Sequence, residues 1–289
     1  MHPHHFLFAL AVVGCGVGLL QFRPIAARKA GIVVLWLGTG ALVWALSGAW
    51  WAGLAGLLAW IVFPLWELIA VLRRLQIPRI RRLEDAFVPP GTSALADPDI
   101  EALTGEMENL GFRHVGDCDL LPAPQRQFFR LFDSEDGVHQ AFIGWIGENG
   151  GGFHFAAFLA QEETAKGRYW MTWNYPLSYG LKAPPRLLLH RALRCPTLDD
   201  LFEEHRELLR LNGLQKNEED EKADGTSALR PCSGLEGVRR RLETVLARQL
   251  HYNVQVGVLT REGVEDGFRY SWRGAFRVAG EVFRDLARL

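Results

Sequence analysis

The hydrophobic pattern splits the chain in two. Residues 6–22 hold no charged side chain, and neither do residues 30–66. Crossing roughly 30 Å of hydrocarbon takes about 20 helical residues at about 1.5 Å each. The second run is 37 residues long, too long for one such helix and suited to two. Ser47-Gly48 is the turn-prone pair that divides it. Trp50-Trp51 follow, and tryptophan favours the membrane–water interface. The pattern predicts three spans, near 6–22, 30–47 and 50–72.

Beyond residue 95 the pattern becomes that of a water-soluble α+β domain. Asp97-Pro98 supplies an N-cap and a first-turn proline, Ile100, Leu103, Met107 and Leu110 recur at helical spacing, and Gly111 closes the segment. Runs rich in aromatic and branched residues then fall at 113–120, 127–132, 138–146, 153–161 and 168–175. Residues 133–137 and the Gly-rich 147–152 read as turns between them. A Gly-rich stretch cradles phosphate only where it leads from a strand into a helix, and this one leads into another strand. The short spacing predicts an antiparallel meander rather than βαβ units, with a further strand at 184–193.

Helices follow. Thr197 opens one that places Leu198, Leu201, Phe202, His205, Leu208 and Leu209 on one side and stops at Asn212-Gly213. Ser233 and Glu236 form a capping box for another, running to about residue 250. A late strand is predicted at 253–260. The last helix, 271–289, carries an apolar stripe of Trp272, Phe276, Ala279, Val282, Phe283, Leu286 and Leu289, with Arg273, Arg277, Arg284 and Arg288 on its polar side. It either packs on the sheet or lies on a membrane with Phe276 and Phe283 in lipid. The fold class expected is a membrane-anchored α+β protein. Three N-terminal transmembrane helices precede a soluble domain, whose antiparallel sheet of about five to seven strands is packed by about four helices.

Charge sharpens this division. Residues 1–82 carry eight Lys or Arg and one acid, Glu67, whereas the remainder is net acidic by eight. An acidic domain is a poor nucleic-acid binder, because phosphate neutralisation needs clustered cations. The basic residues fall at 23–29 and again at Arg73, Arg74, Arg79, Arg81 and Arg82, with none in the turn between the second and third runs. Positive loops stay cytoplasmic, which predicts the N-terminus outside and the large domain in the cytoplasm. The expected organisation is a transmembrane region at 1–75, a basic juxtamembrane segment and linker at 76–95, and a cytoplasmic domain at 96–289 with a mobile acidic loop near 214–228. The five arginines form a collar positioned to contact anionic headgroups. Alternatively residues 1–22 are a cleaved signal, since Val12-Val13-Gly14-Cys15 resembles a lipoprotein cleavage box. The first five residues carry no Lys or Arg, which argues against it. Arginine outnumbers lysine 27 to 5, which suggests a GC-rich bacterial genome. Cys15, Cys118, Cys195 and Cys232 are widely spaced and fit a reducing compartment.

Candidate chemistry is sparse. Gly14, Gly16, Gly18, Gly38, Gly40, Gly53 and Gly56 allow close helix approach, read as packing among the spans rather than oligomerisation. Glu67 sits near the arginine edge of the third span and reads as a snorkelling carboxylate. No histidine falls in a zinc spacing, although His139 and His154 could meet across two strands. No nucleophile motif is present, and Cys118, Cys195 and the Glu162-Glu163 pair read as structural or solvated. No catalytic, cofactor or metal residue is therefore assigned. The most unusual feature is aromatic density, from Phe128 through Tyr179, on both faces of several strands. Helices covering one or both faces explain it, or an apolar ligand groove or a docking face for another membrane protein does. The functional expectation is a multi-pass inner-membrane protein whose cytoplasmic domain binds a membrane-protein partner, a second copy or an apolar ligand. The alternative is a membrane-associated enzyme acting on a lipid or lipid-linked substrate. A small oligomeric channel, the third reading, has only Thr39, Ser47 and Glu67 to line it.

Overall fold

A computed structural model describes residues 3–22, 24–86, 98–122, 126–148, 151–163, 167–176, 181–214, 229–261 and 267–288. The expected linker at 89–93, Asp97, the centre of the Gly-rich turn and the acidic loop at 215–226 lie outside these residues. The chain divides into two compact units, Met1–Val71 and Leu72–Leu289.

The first unit is helical. Its elements are α1 (Pro3–Leu20), α2 (Ile25–Ser47) and α3 (Trp50–Arg74), the last running into the second unit. Two helices, Ala26–Ser47 and Trp50–Arg74, are long and apolar enough to cross a membrane, and a third apolar stretch, His4–Leu20, is shorter. The break falls at Gly48, whose φ of 72° ends α2 with its N–H on the Trp44 carbonyl. That is the left-handed cap that glycine adopts without a Cβ penalty. One boundary differs from expectation: α2 begins at Ile25, so Arg28 and Lys29 lie within its first turns rather than in a loop. Close packing has a visible cause. A Cβ on Gly16 would lie 2.7 Å from the Leu35 nitrogen on α2, and one on Gly53 would lie 2.9 Å from the Gly40 carbonyl oxygen. Trp36 also donates its indole N–H to the Leu57 carbonyl at 2.8 Å.

The second unit is an α+β fold around a seven-stranded mixed sheet. Its strands are β2 (Arg82–Asp85), β3 (Phe112–Leu121), β4 (Arg126–Ser134), β5 (Gln140–Glu148), β6 (Gly151–Gln161), β7 (Tyr169–Trp173) and β8 (Leu187–Arg191), in that spatial order. The meander from β2 to β7 is antiparallel. The expectation of a wholly antiparallel sheet fails at one edge, because β8 runs parallel to β7. The chain crosses back after β7 instead of turning tightly. Arg191 holds the exit in place, donating Nε–H to the Tyr175 carbonyl at 2.9 Å and a second bond to that of Pro176. A small second sheet joins β1 (Gln76–Ile77), β10 (Phe268–Tyr270) and β9 (Leu259–Thr260), with β10 in the middle.

Four helices of this unit are described: α4 (Pro98–Asn109), α5 (Leu198–Leu211), α6 (Gly234–Gln255) and α7 (Trp272–Arg288). Alternation sorts the strands into two buried faces. Phe112, Phe132, Ile143 and Phe158 face one way with Met107 of α4 and Leu201 of α5, while Phe129, Leu131, Phe142 and Phe155 face the other way with Val238, Leu242 and Val245 of α6. A period-two strand with both faces covered favours apolar residues on both, which accounts for the aromatic density.

Capping follows the sequence in one helix and departs from it in another. Thr197 Oγ1 accepts from the Asp200 N–H at 3.2 Å and opens α5 as expected. Ser233 makes no such bond. Asp133 of β4 instead accepts from the Gly234 N–H at 2.8 Å, a long-range carboxylate taking the place of the local hydroxyl. The strand expected at 253–260 is cut to its last two residues, since α6 continues to Gln255, a turn follows, and only Leu259–Thr260 is extended. Asn253 makes this possible: it is fully buried, and its amide pairs both ways with the backbone of Lys182 at 2.8 Å.

Candidate ligand chamber

The α6 side of the sheet does not close completely. Phe129, Phe142 and Phe155 pack edge to face from three adjacent strands, with centroids 5.6–6.3 Å apart. Gly144 permits this, because a Cβ there would collide with the Phe155 ring across the strand pair. Next to them Trp173 and Tyr175 stack at 4.9 Å and 17°. This aromatic wall lies opposite Leu242, Val245, Leu246 and Gln249 of α6. A third wall comes from Tyr270 and Val278, and a fourth from Leu72, Leu75, Ile77 and Arg81. Together they enclose about 390 Å³. Protein cores pack with few voids larger than a water molecule, and ligand pockets occupy about 300–1,000 Å³. The chamber belongs with the second class.

Its polar groups are few: Arg81, Gln127 and Gln249, with the polar ends of Trp173, Tyr175 and Tyr270, and the lining contains no carboxylate. Arg81 is half-buried, and its Nε has no hydrogen-bond partner among the described residues.

The collar arginines separate into two groups. Arg73 donates to the Tyr270 carbonyl at 2.6 Å and lies over the Trp272 ring, and Arg81 enters the chamber wall. Arg74, Arg79 and Arg82 are exposed, Arg82 on edge strand β2 opposite Leu121. The final helix packs on the domain through Ala275, Val278 and Ala279, and leaves Trp272, Phe276 and Phe283 exposed.

The other candidates do not assemble a reactive centre. His154 lies opposite Trp145, away from His139. His139 meets His205 of α5 instead, with ring centroids 5.7 Å apart, and His205 Nδ1 lies 3.0 Å from Thr172 Oγ1. Burial pushes both imidazoles below their ordinary range, His205 well below it. Burial also pushes the Cys118 thiol up, outweighing the Arg239 guanidinium 3.4 Å from it. Cys195 is raised as well, by burial and then by Glu204 and Asp200. A raised thiol is a poor nucleophile. Glu162 lies 4.0 Å from Arg168, at the end of β6. Among the described residues no three His, Cys, Asp or Glu side chains converge into a metal-binding group.

The apolar groove expected from the aromatic density has no local sequence signature that fixes its place. Gln127 and Gln249 carry no sequence signal, each standing beside an arginine among other polar residues of its element. In sequence Arg81 is one of five clustered basic residues, with nothing to set it apart from Arg73, Arg74, Arg79 and Arg82. Comparison of the chain with protein-family models, with curated proteins and with solved structures returns no match.

Proposed function

We propose that this chain is a membrane-anchored binding protein whose α+β unit takes an apolar ligand into the chamber between its sheet and α6. In this reading three spans near 6–22, 30–47 and 50–72 hold it in a bacterial inner membrane, with the N-terminus outside and the α+β unit in the cytoplasm. The outward apolar side chains of the first unit, Phe8, Ile32, Trp50 and Phe63 among them, support insertion. Arg74, Arg79 and Arg82 then contact anionic headgroups. The exposed stripe of α7 rests on the same surface, its aromatic rings at headgroup level.

The observation that carries the binding role is the chamber itself. Twenty-two residues from eleven strands and helices and their connections converge on a space their own side chains do not fill. The test is native mass spectrometry of the protein extracted gently from its own membranes. The expected result is a co-purifying small molecule in the wild type that is absent after Leu242→Trp, which fills the chamber. A stoichiometric protein companion that survives Leu242→Trp, with no small molecule, would replace this reading with a partner-binding one.

A further inference from the structure

We infer that the chamber's ligand is an anionic single-chain amphiphile, with its acidic head at Arg81 and its chain along the aromatic wall. This rests on the binding role proposed above and specifies its ligand class.

Arginine does not lose its charge in proteins. Arg81 is placed by its neighbours, since Ile77 is tied into the small sheet and Leu83 into the large one, both buried. The arginine between them is half-buried, and its Nε donor is sequestered without an acceptor among the described residues. A sequestered donor on a charged group is costly unless something accepts from it. The lining offers no carboxylate, and its carboxamides are those of Gln127 and Gln249. An acidic head would supply the acceptor and the counter-charge together, with charge-assisted bonds in the fork geometry that guanidinium favours.

The rest of the lining then selects the remainder of the ligand. Most of the walls are apolar, Phe129, Phe142, Phe155, Met171 and Leu242 among them, which offer an alkyl chain dispersion contacts and a polar metabolite few partners. A volume near 390 Å³ lies at the low end of the ligand-pocket range, which suits one chain rather than two. A neutral amphiphile of the same length would fill the space and could accept a hydrogen bond, but would leave the Arg81 charge without a counter-charge.

The test uses the full chain in phosphatidylcholine nanodiscs. Photoactivatable diazirine forms of palmitic acid, of palmitoyl lysophosphatidic acid and of hexadecanol are added, and the crosslinked peptides are mapped. The expected result is labelling of the α6 peptide around Leu242 by an acidic probe, at least about tenfold above hexadecanol. Which acidic probe labels decides between a carboxylate and a phosphate head. Arg81→Gln should bring acidic labelling down to the hexadecanol level and leave hexadecanol unchanged, which also shows that the chamber is still folded. Arg81→Lys should retain most of it. Equal labelling by acid and alcohol, insensitive to Arg81→Gln, would overturn the head assignment and leave the chamber reading standing. No labelling of chamber peptides by any probe, or labelling that survives Leu242→Trp, would remove the binding role as well.

Discussion

Arg130 on β4 stands directly opposite Asp117 on β3, and the two side chains meet through a pair of parallel hydrogen bonds, Nε to Oδ1 at 3.0 Å and Nη2 to Oδ2 at 3.1 Å. The same guanidinium donates to Glu101 and Thr104 of α4, at 2.8 and 3.0 Å, and so ties that helix to the sheet. Burial raises the Asp117 carboxyl, but hydrogen bonds from His114 and Arg130 outweigh it and leave the group below the usual carboxylate range. Removing one partner strands the other in a poorly solvated place. Arg130→Ala should cost about 3–5 kcal/mol, measured by chemical unfolding of the full chain. A cost below about 1 kcal/mol would mean that the pair is solvated and exerts little hold on α4.

The paired histidines predict a dependence on pH. His139 is held below its ordinary value chiefly by burial, aided by Arg206 and opposed by Asp136. His205 is lowered by burial and then by His139 and His190. The folded state therefore stays neutral where the unfolded state begins to bind protons, near pH 6.5. Stability is full above that pH and falls as the pH drops below it, by up to about 1.4 kcal/mol per unit for each imidazole. Thermal unfolding between pH 7.5 and 5 should show this slope, and His139→Phe should flatten it. An unchanged slope in that variant would assign the effect to other groups.

The glycines of α1 make a sharper prediction about the first unit. Gly16 lies against the Leu35 backbone, whereas a Cβ on Gly14 would meet nothing within 4 Å. Gly16→Leu should separate α1 from α2 and lower the melting temperature in detergent. Gly14→Leu, two residues away with the same added bulk, should not. Equal sensitivity at both positions would contradict the packing described above.

The exposed stripe of α7 can be located by spin labelling. With the native cysteines replaced, a nitroxide at Phe276→Cys in nanodiscs should relax more with oxygen, which concentrates in lipid, than with a water-soluble nickel chelate. The reverse preference would place the stripe in water or against protein, and the contact of α7 with lipid would be abandoned. Arg73 bears on this result, because its guanidinium lies 4.8 Å from the centre of the Trp272 ring at the start of the same helix.

Local signals account for what could be read without coordinates. Apolar runs, the Gly48 break, the strands with their turns, and the Thr197 cap all depend on neighbours within a few residues, so residue order alone carries them. Both faces of the sheet were legible as aromatic density, because alternation assigns every strand residue to one face or the other. Tertiary structure decided the rest, for reasons that lie in distance along the chain. The β7–β8 pairing is parallel because the chain crosses back between them, and alternation is the same for either direction of pairing. Asp133 takes over the cap of α6 from 101 residues away, and Asn253 keeps that helix running by bonding to Lys182, 71 residues off. Arg81 looked like one of five surface cations. Only the folding of β1 and β2 into separate sheets turns it toward the chamber, whose walls come from residues between Leu72 and Val278. A period of two or of 3.6 reports which side of an element is apolar. It cannot report where two apolar sides meet without filling the space between them, and in this chain that space is the candidate site.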